Sequence, residues 1–400
     1  MLRLLCFGFV QIIHCRRAKY AGGQMSSTTS RWLALLQISW WCGTLFSAVS
    51  AEMFLPPLCN PALHNTHEVL QSAQAALEIL SKLPAHGHKY AEEPRIQNRL
   101  AVMMLFGQGF LSSSSLDRIP YLQCALKKLY KNMLPKTPID VFIWVPEASI
   151  GHVPSWLKNA TEYPRTVVMP IVNTTWMVPC GLHDDSLWPL RKHFNVEYHI
   201  MGRWRLTFAY DFVRVMGYQY YLQYDDDACL NSFLDFNIVT KFQNSSYKMG
   251  VFSDHIGEVA HVALGIAELT RYWMTINKYL PQGTLFNHLT PKNIDGLFSN
   301  PGNFGGWDRY YHPGYFLITS IDFWFGDLVQ DYLTTILKSG RDVEGRWQEQ
   351  LVQNMIRLVF IPPGKLWIMN EVDIGHDRHK RLNFENWCIK DGTMKKKYFF

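Results

Sequence analysis

Apolar and polar positions fall in blocks along this chain, and Pro and Gly punctuate them. Residues 66–83 set Val69, Leu70, Ala73, Ala76, Leu77 and Leu80 at helical spacing, and Pro84 and Gly87 end the run. A fully apolar stretch at 100–106 closes on Gly107 and Gly109 and reads as a buried strand. A serine run then leads into a helix over 118–132, and 139–145 makes a second buried strand closed by Pro146. Strand, helix, strand is the opening of a parallel sheet with crossover helices. Further strands are expected at 166–169, 220–224, 249–252, 314–318 and 358–361. Helices are expected at 204–215, 259–278, 321–339 and 346–358. No internal repeat is visible. This order predicts one α/β domain over 95–390, with a mixed, mostly parallel sheet flanked by helices.

Two apolar stretches precede that domain. The first, 2–13, is short and is followed by Arg16, Arg17 and Lys19. The second, 32–51, is free of charge and follows Arg31; its length is near the ~20 residues a helix needs to cross a bilayer. A positive flank ahead of it predicts a type II signal anchor, with 1–30 cytosolic and the remainder luminal in the Golgi. Small residues at 48–51 also allow a cleaved signal peptide, and Met25 offers a second start; both readings lead into the secretory pathway. On the anchor reading 52–94 is a stem, and its helix either stands in the stem or packs on the domain. Residues 391–400 form a basic tail. Asn159, Asn173 and Asn244 open Asn-x-Ser/Thr triplets, which agree with that route. There are eight cysteines and no CxxC pair. Cys59, Cys124, Cys180, Cys229 and Cys388 fall where disulfides form, and their number is odd.

Composition narrows the class. With 48% hydrophobic and 18% charged residues among 400, a mainly disordered chain is excluded. The net charge of +6 is dispersed rather than clustered, so no nucleic-acid partner is expected. Aromatics make up 14%; they fill cores and also offer flat faces to sugar rings and bases.

The chemistry concentrates where the 220–224 strand delivers Asp225, Asp226 and Asp227 at its carboxyl end. Open α/β sheets bind ligands at that edge. Three adjacent carboxylates repel one another, and a hard divalent cation with oxygen ligands relieves this. Mn²⁺ or Mg²⁺ held by the spaced pair Asp225 and Asp227 bridges to a diphosphate and offsets charge on a departing nucleotide. Acidic triplets also occur in solvated loops; the preceding strand argues for the metal.

Wider stretches resemble a known family. Tyr198-His-Ile-Met-Gly-Arg203-Trp204 is similar to the YxxMxRW stretch of the fungal-type α-1,2-mannosyltransferases, glycosyltransferase family 15. Tyr220 to Asp227 resembles that family's Tyr-Tyr-Trp-Arg-Val-Glu-Pro-Asp. Tyr315-Phe-Leu-Ile-Thr-Ser-Ile-Asp322-Phe-Trp resembles its Asn-Phe-Glu-Ile-Ala-Asp-Leu-Asp-Phe-Phe, and Glu344 to Glu349 its Glu-Arg-Trp-Gly-Asp. Residues 373–379 resemble its Asp-Ile-Gly-Tyr-x-His, whose His is a metal ligand. The resemblance spans about 95–388 in order and spacing, at low identity.

It implies a GT-A fold, GDP-mannose as donor, Mn²⁺ as metal, and mannosyl transfer with retained configuration to a glycan or glycoprotein acceptor. Asp225, Asp227 and one of His376 or His379 become the metal candidates, with Arg378 at the gap-free position of the histidine. Arg203, Tyr198 and Asp226 are the donor-side candidates, Arg203 because its planar fork suits phosphate oxygens. Glu349 and Asp322 are the catalytic candidates, and Asp308 is another nearby carboxylate. One departure stands out: the family's glutamate near the anomeric carbon falls on Leu317, which carries no carboxylate. A transferase using another nucleotide sugar, or an inactive glycan-binding relative, are therefore the alternatives.

Overall fold

The computed structural model describes residues 66–83, 95–106, 119–153, 157, 163–179, 181–182, 188, 195–253, 256–289 and 307–376. The chain divides after Leu55 into two units, and every described residue belongs to the second. The expected anchor, Asn159, the cysteines other than Cys124 and Cys229, Arg378, His379 and the basic tail lie outside the described residues. Among the described residues no helix is long and apolar enough to cross a membrane.

The strands are β1 (Leu100–Leu105), β2 (Ile139–Pro146), β3 (Thr166–Ile171), β4 (Tyr220–Tyr224), β5 (Ala228–Leu230), β6 (Met249–Phe252), β7 (Ile256–Gly257), β8 (Tyr310–Tyr311), β9 (Phe316–Ser320), β10 (Leu366–Met369) and β11 (Ile374–His376). The principal helices are α1 (Thr66–Lys82), α2 (Ile119–Asn132), α3 (Val196–Leu206), α4 (Phe208–Val215), α5 (Ile238–Ser245), α6 (Ile266–Ile276), α7 (Ile321–Trp324), α8 (Asp327–Ser339), α9 (Arg341–Glu344) and α10 (Gln348–Phe360).

Seven strands form the main sheet in the order β10-β6-β9-β4-β1-β2-β3. All neighbours are parallel except β9, which runs antiparallel to both β4 and β6. Every side chain of β1 is buried, as a strand covered on both faces requires. Its alternate residues feed two cores. Ala101, Met103 and Leu105 pack with α1, α3, α4 and α10, while Leu100, Val102 and Met104 pack with α2 and α5. Helix α1 buries Val69, Ala73, Ala76 and Leu80 in the first of these cores, so it packs on the domain.

The expected helices are recovered, but the 204–215 segment falls across two helices, α3 and α4, which break at Thr207. The 259–278 segment breaks at Gly265, whose φ of 92° only glycine adopts easily. The 321–339 segment breaks around Gly326. The strand expected at 358–361 is instead the end of α10, since an apolar run of that length fits a buried helix equally well. Pro362 and Pro363 then stop the helix and the last sheet strand begins at Leu366.

Candidate metal and donor site

Strand β4 ends at Tyr224 and the chain turns through Asp225, Asp226 and Asp227 into β5. The turn is pinned from several directions. The Asp225 amide donates to the Tyr315 carbonyl at 3.2 Å, and the Ala228 amide donates to the Asp225 carbonyl at 3.1 Å. The Tyr224 hydroxyl donates to the Ala228 carbonyl and accepts from the Leu230 amide, both at 3.1 Å.

Strand β11 then pairs antiparallel with β5, setting His376 opposite Ala228. This register carries His376 onto the triplet. Its Nε2 lies 3.1 Å from Asp227 Oδ1 and 3.5 Å from Asp225 Oδ2. Tyr315 stacks on the imidazole at 4.7 Å between ring centroids. One ligand atom each from Asp225, Asp227 and His376 lies within 4.8 Å of the others, so one cation can meet all three. Asp226 is buried but outside this group.

Electrostatics mark the place as built for positive charge. Burial alone would lower the His376 pKa, but its hydrogen bonds and charge pairing with Asp225 and Asp227 push it up to about 10. Burial works the other way on Asp225, yet Arg205 and His376 hold its carboxyl well below the usual range.

Arg205, not singled out from the sequence, places a guanidinium at the site. Its Nη2 donates to Asp225 Oδ1 at 2.7 Å and its Nη1 to Glu349 Oε1 at 2.8 Å. The expected donor-side residue Arg203 is turned elsewhere: it grips both oxygens of buried Asp342 at 2.7 Å and donates to the Leu337 carbonyl. That inward pairing occupies the fork the diphosphate role requires. Tyr198 sits in the first turn of α3, where Asn195 caps its amide, and its ring lies under the Arg346 guanidinium at 5.2 Å.

The catalytic candidates separate. Glu349 lies beside the site but is fully buried, its Oε1 shared by Arg205 and by the Gln223 amide at 3.4 Å. An acid or base for an acceptor hydroxyl must reach that hydroxyl, and this carboxylate shows no open face. Asp322 is exposed at the opposite edge of the sheet, because antiparallel β9 sets Phe316 opposite Tyr224 and Ser320 opposite Tyr220. Asp308 pairs with His288 at 3.0 Å. Leu317 faces Gln223 across the sheet and is buried with Met249, Val251 and Ile361. Trp307 is wholly buried.

No family model matches the chain, and no curated protein matches it. Solved structures do. Core-mannan synthase A from Aspergillus fumigatus, in its Mn/GDP form, superposes with a TM-score of 0.59 at 15% identity, over 72% of this chain and 76% of that one. The mannosyltransferase Ktr4p from S. cerevisiae superposes with a TM-score of 0.58 at 15% identity, over 82% of this chain and 84% of that one. The fold is GT-A. The same yeast protein in complex with GDP gives 0.57 at 14% identity, covering 82% and 85%. Mannosyltransferases are the class the sequence resemblance names, and the GT-A architecture expected from it is the one observed.

Proposed function

We propose that this chain is a divalent-metal-dependent glycosyltransferase that moves mannose from GDP-mannose to a glycan or glycoprotein acceptor. The observation that carries it is the convergence of Asp225, Asp227 and His376 at the carboxyl edge of β4, in a fold shared with a protein solved with Mn and GDP. Two carboxylate oxygens and an imidazole nitrogen suit Mn²⁺. The His376 Nε2 lies within reach of both carboxylates, where a cation would meet all three groups. Asp225 Oδ2, Asp227 Oδ1 and His376 Nε2 are the atoms that would hold it. Once bound, the ion supplies positive charge for the diphosphate leaving group. His376 would have to give up its Nε2 proton to act as a ligand, so binding would release a proton and tighten as pH rises.

The secretory-pathway reading is supported by three features. Cys124 is disulfide-bonded, Asn173 and Asn244 are exposed, and an apolar, uncharged segment runs over 32–51. On that reading the domain is luminal, behind a type II anchor in the Golgi.

Thermal unfolding with nucleotide and metal tests the function. A ligand that binds only the folded state at 100 times its Kd stabilises by about 2.7 kcal/mol. GDP with Mn²⁺ should raise the melting temperature, UDP with Mn²⁺ should not, and Asp227→Ala should abolish the rise. A shift with UDP alone rejects mannose as the sugar carried. Binding of GDP and Mn²⁺ without any release of GDP from GDP-mannose would instead mark an inactive relative, the outcome Leu317 favours.

A further inference from the structure

We propose that Glu349 is a positioning residue for the metal site, acting through Arg205 on Asp225; this rests on the metal-dependent reading above. Arg205 bridges two carboxylates with separate nitrogens, Nη2 to Asp225 Oδ1 and Nη1 to Glu349 Oε1. Holding Oδ1 leaves Oδ2 of Asp225 turned towards His376, which is the oxygen a metal would use. Glu349 fixes the far end of this bridge and is itself fixed. Gln223 donates to the same Oε1, Gln353 donates to Gln223 Oε1 at 3.0 Å, and Gln223 also donates to the Gly314 carbonyl at 2.8 Å.

The backbone that presents Glu349 is constrained as well. Arg346 and Gln348 have φ values of 56° and 44°, which side-chain-bearing residues rarely adopt. Trp347 between them is buried, and its indole donates to the Leu264 carbonyl at 2.9 Å. Strained backbone held by such anchors fits a side chain whose position matters. Complete burial gives Glu349 no route to an acceptor, whereas its contacts lead directly to a metal-ligand carboxylate. Partners that orient ligands in this way tune metal affinity by about 10- to 100-fold.

The test is Mn²⁺ affinity, followed by the electron paramagnetic resonance signal of free Mn²⁺ during titration, with release of GDP from GDP-mannose measured alongside. Glu349→Ala should weaken Mn²⁺ binding at least about tenfold. Glu349→Gln keeps an oxygen for Arg205 and should recover most of that loss, its turnover defect disappearing as Mn²⁺ is raised. Asp342→Asn serves as the control. It breaks the Arg203 pair outside the bridge, so it should destabilise the fold and leave Mn²⁺ affinity unchanged. The proposal is overturned if Glu349→Ala binds Mn²⁺ like the wild type, or if Asp342→Asn weakens binding as much as Glu349→Ala does. It is also overturned if Glu349→Gln binds Mn²⁺ normally yet loses turnover by about 100-fold, the mark of an acid or base. A wild-type protein that binds no Mn²⁺ would sink the metal-dependent function itself, a result distinct from these.

Discussion

The two arginines of α3 show what one residue's position on a helix decides. His199 and Arg203 are four apart and share a face; they meet the Val343 carbonyl and Asp342. Gly202 and Arg205 are three apart and share another face, which meets the start of α10. Arg203 was singled out from its setting before Trp204; Arg205 was not, because both faces of α3 are covered and the pattern does not say which meets the acids. Gly202 was the clue available in the sequence, since a glycine inside a helix marks close approach of another backbone. A Cβ there would sit 2.9 Å from Gln348 Cα and 3.0 Å from the Glu349 nitrogen. Ala is normally favoured over Gly within a helix by about 1 kcal/mol. Here the obstacle is backbone, so overpacking should win. Gly202→Ala is expected to destabilise by about 1–3 kcal/mol in urea unfolding and to weaken Mn²⁺ binding. A stabilised variant would show that α10 yields without cost.

Strand direction decides what elements bring together. The apolar run ending near Asp322 was recognisable as a strand, but an antiparallel strand buried on both faces reads like a parallel one. Its reversal in β9 moves Asp322 to the far edge, about 17 Å from Asp225 across five residues. Asp322→Asn should therefore keep GDP release from GDP-mannose within about twofold of wild type, as an exposed substitution does. A hundredfold loss would return Asp322 to the site. The β5–β11 pair was not legible at all: three residues each, joined across more than 140 positions of chain, carry too little pattern. Yet this pair is what brings His376 to the triplet, by setting it opposite Ala228. The acidic triplet itself was fully legible, because an apolar strand running into three carboxylates is a local signal.

At the scale of the molecule, the described residues place a charged cluster at each end of the main sheet. At the carboxyl edge of β4, Asp225 and Asp227 share the His376 imidazole, while the Arg205 guanidinium bridges Asp225 to Glu349. Towards the amino end of β2, Asp140 is fully buried and its oxygens are saturated. Arg99 donates to both at 2.7 and 2.6 Å, Arg165 donates to Oδ1 at 2.5 Å, and the Tyr218 hydroxyl donates to Oδ2 at 2.5 Å. Burial raises the Asp140 pKa, but the two arginines more than offset this and hold it below the usual value. Nothing in the run Ile139-Asp140-Val141 announced this, since its partners lie 41, 25 and 78 positions away.

A carboxyl group whose folded pKa is depressed stabilises the protein above its unfolded value, near 3.9. That contribution is lost as pH falls through the lower, folded value. Asp140→Asn removes the charge that pairs with Arg99, which is buried, and with Arg165. Breaking a buried pair in this way costs about 3–5 kcal/mol. Urea unfolding at pH 7 should show that loss in full, and the gap between variant and wild type should narrow below pH 4 as wild-type Asp140 takes up its proton. A gap unchanged from pH 7 to pH 3 would mean that packing, not charge, is what Asp140 contributes. Mn²⁺ affinity at pH 7 should match the wild type, because this cluster braces the sheet at the end away from the metal ligands. The two ends thus use the same residue types for different work.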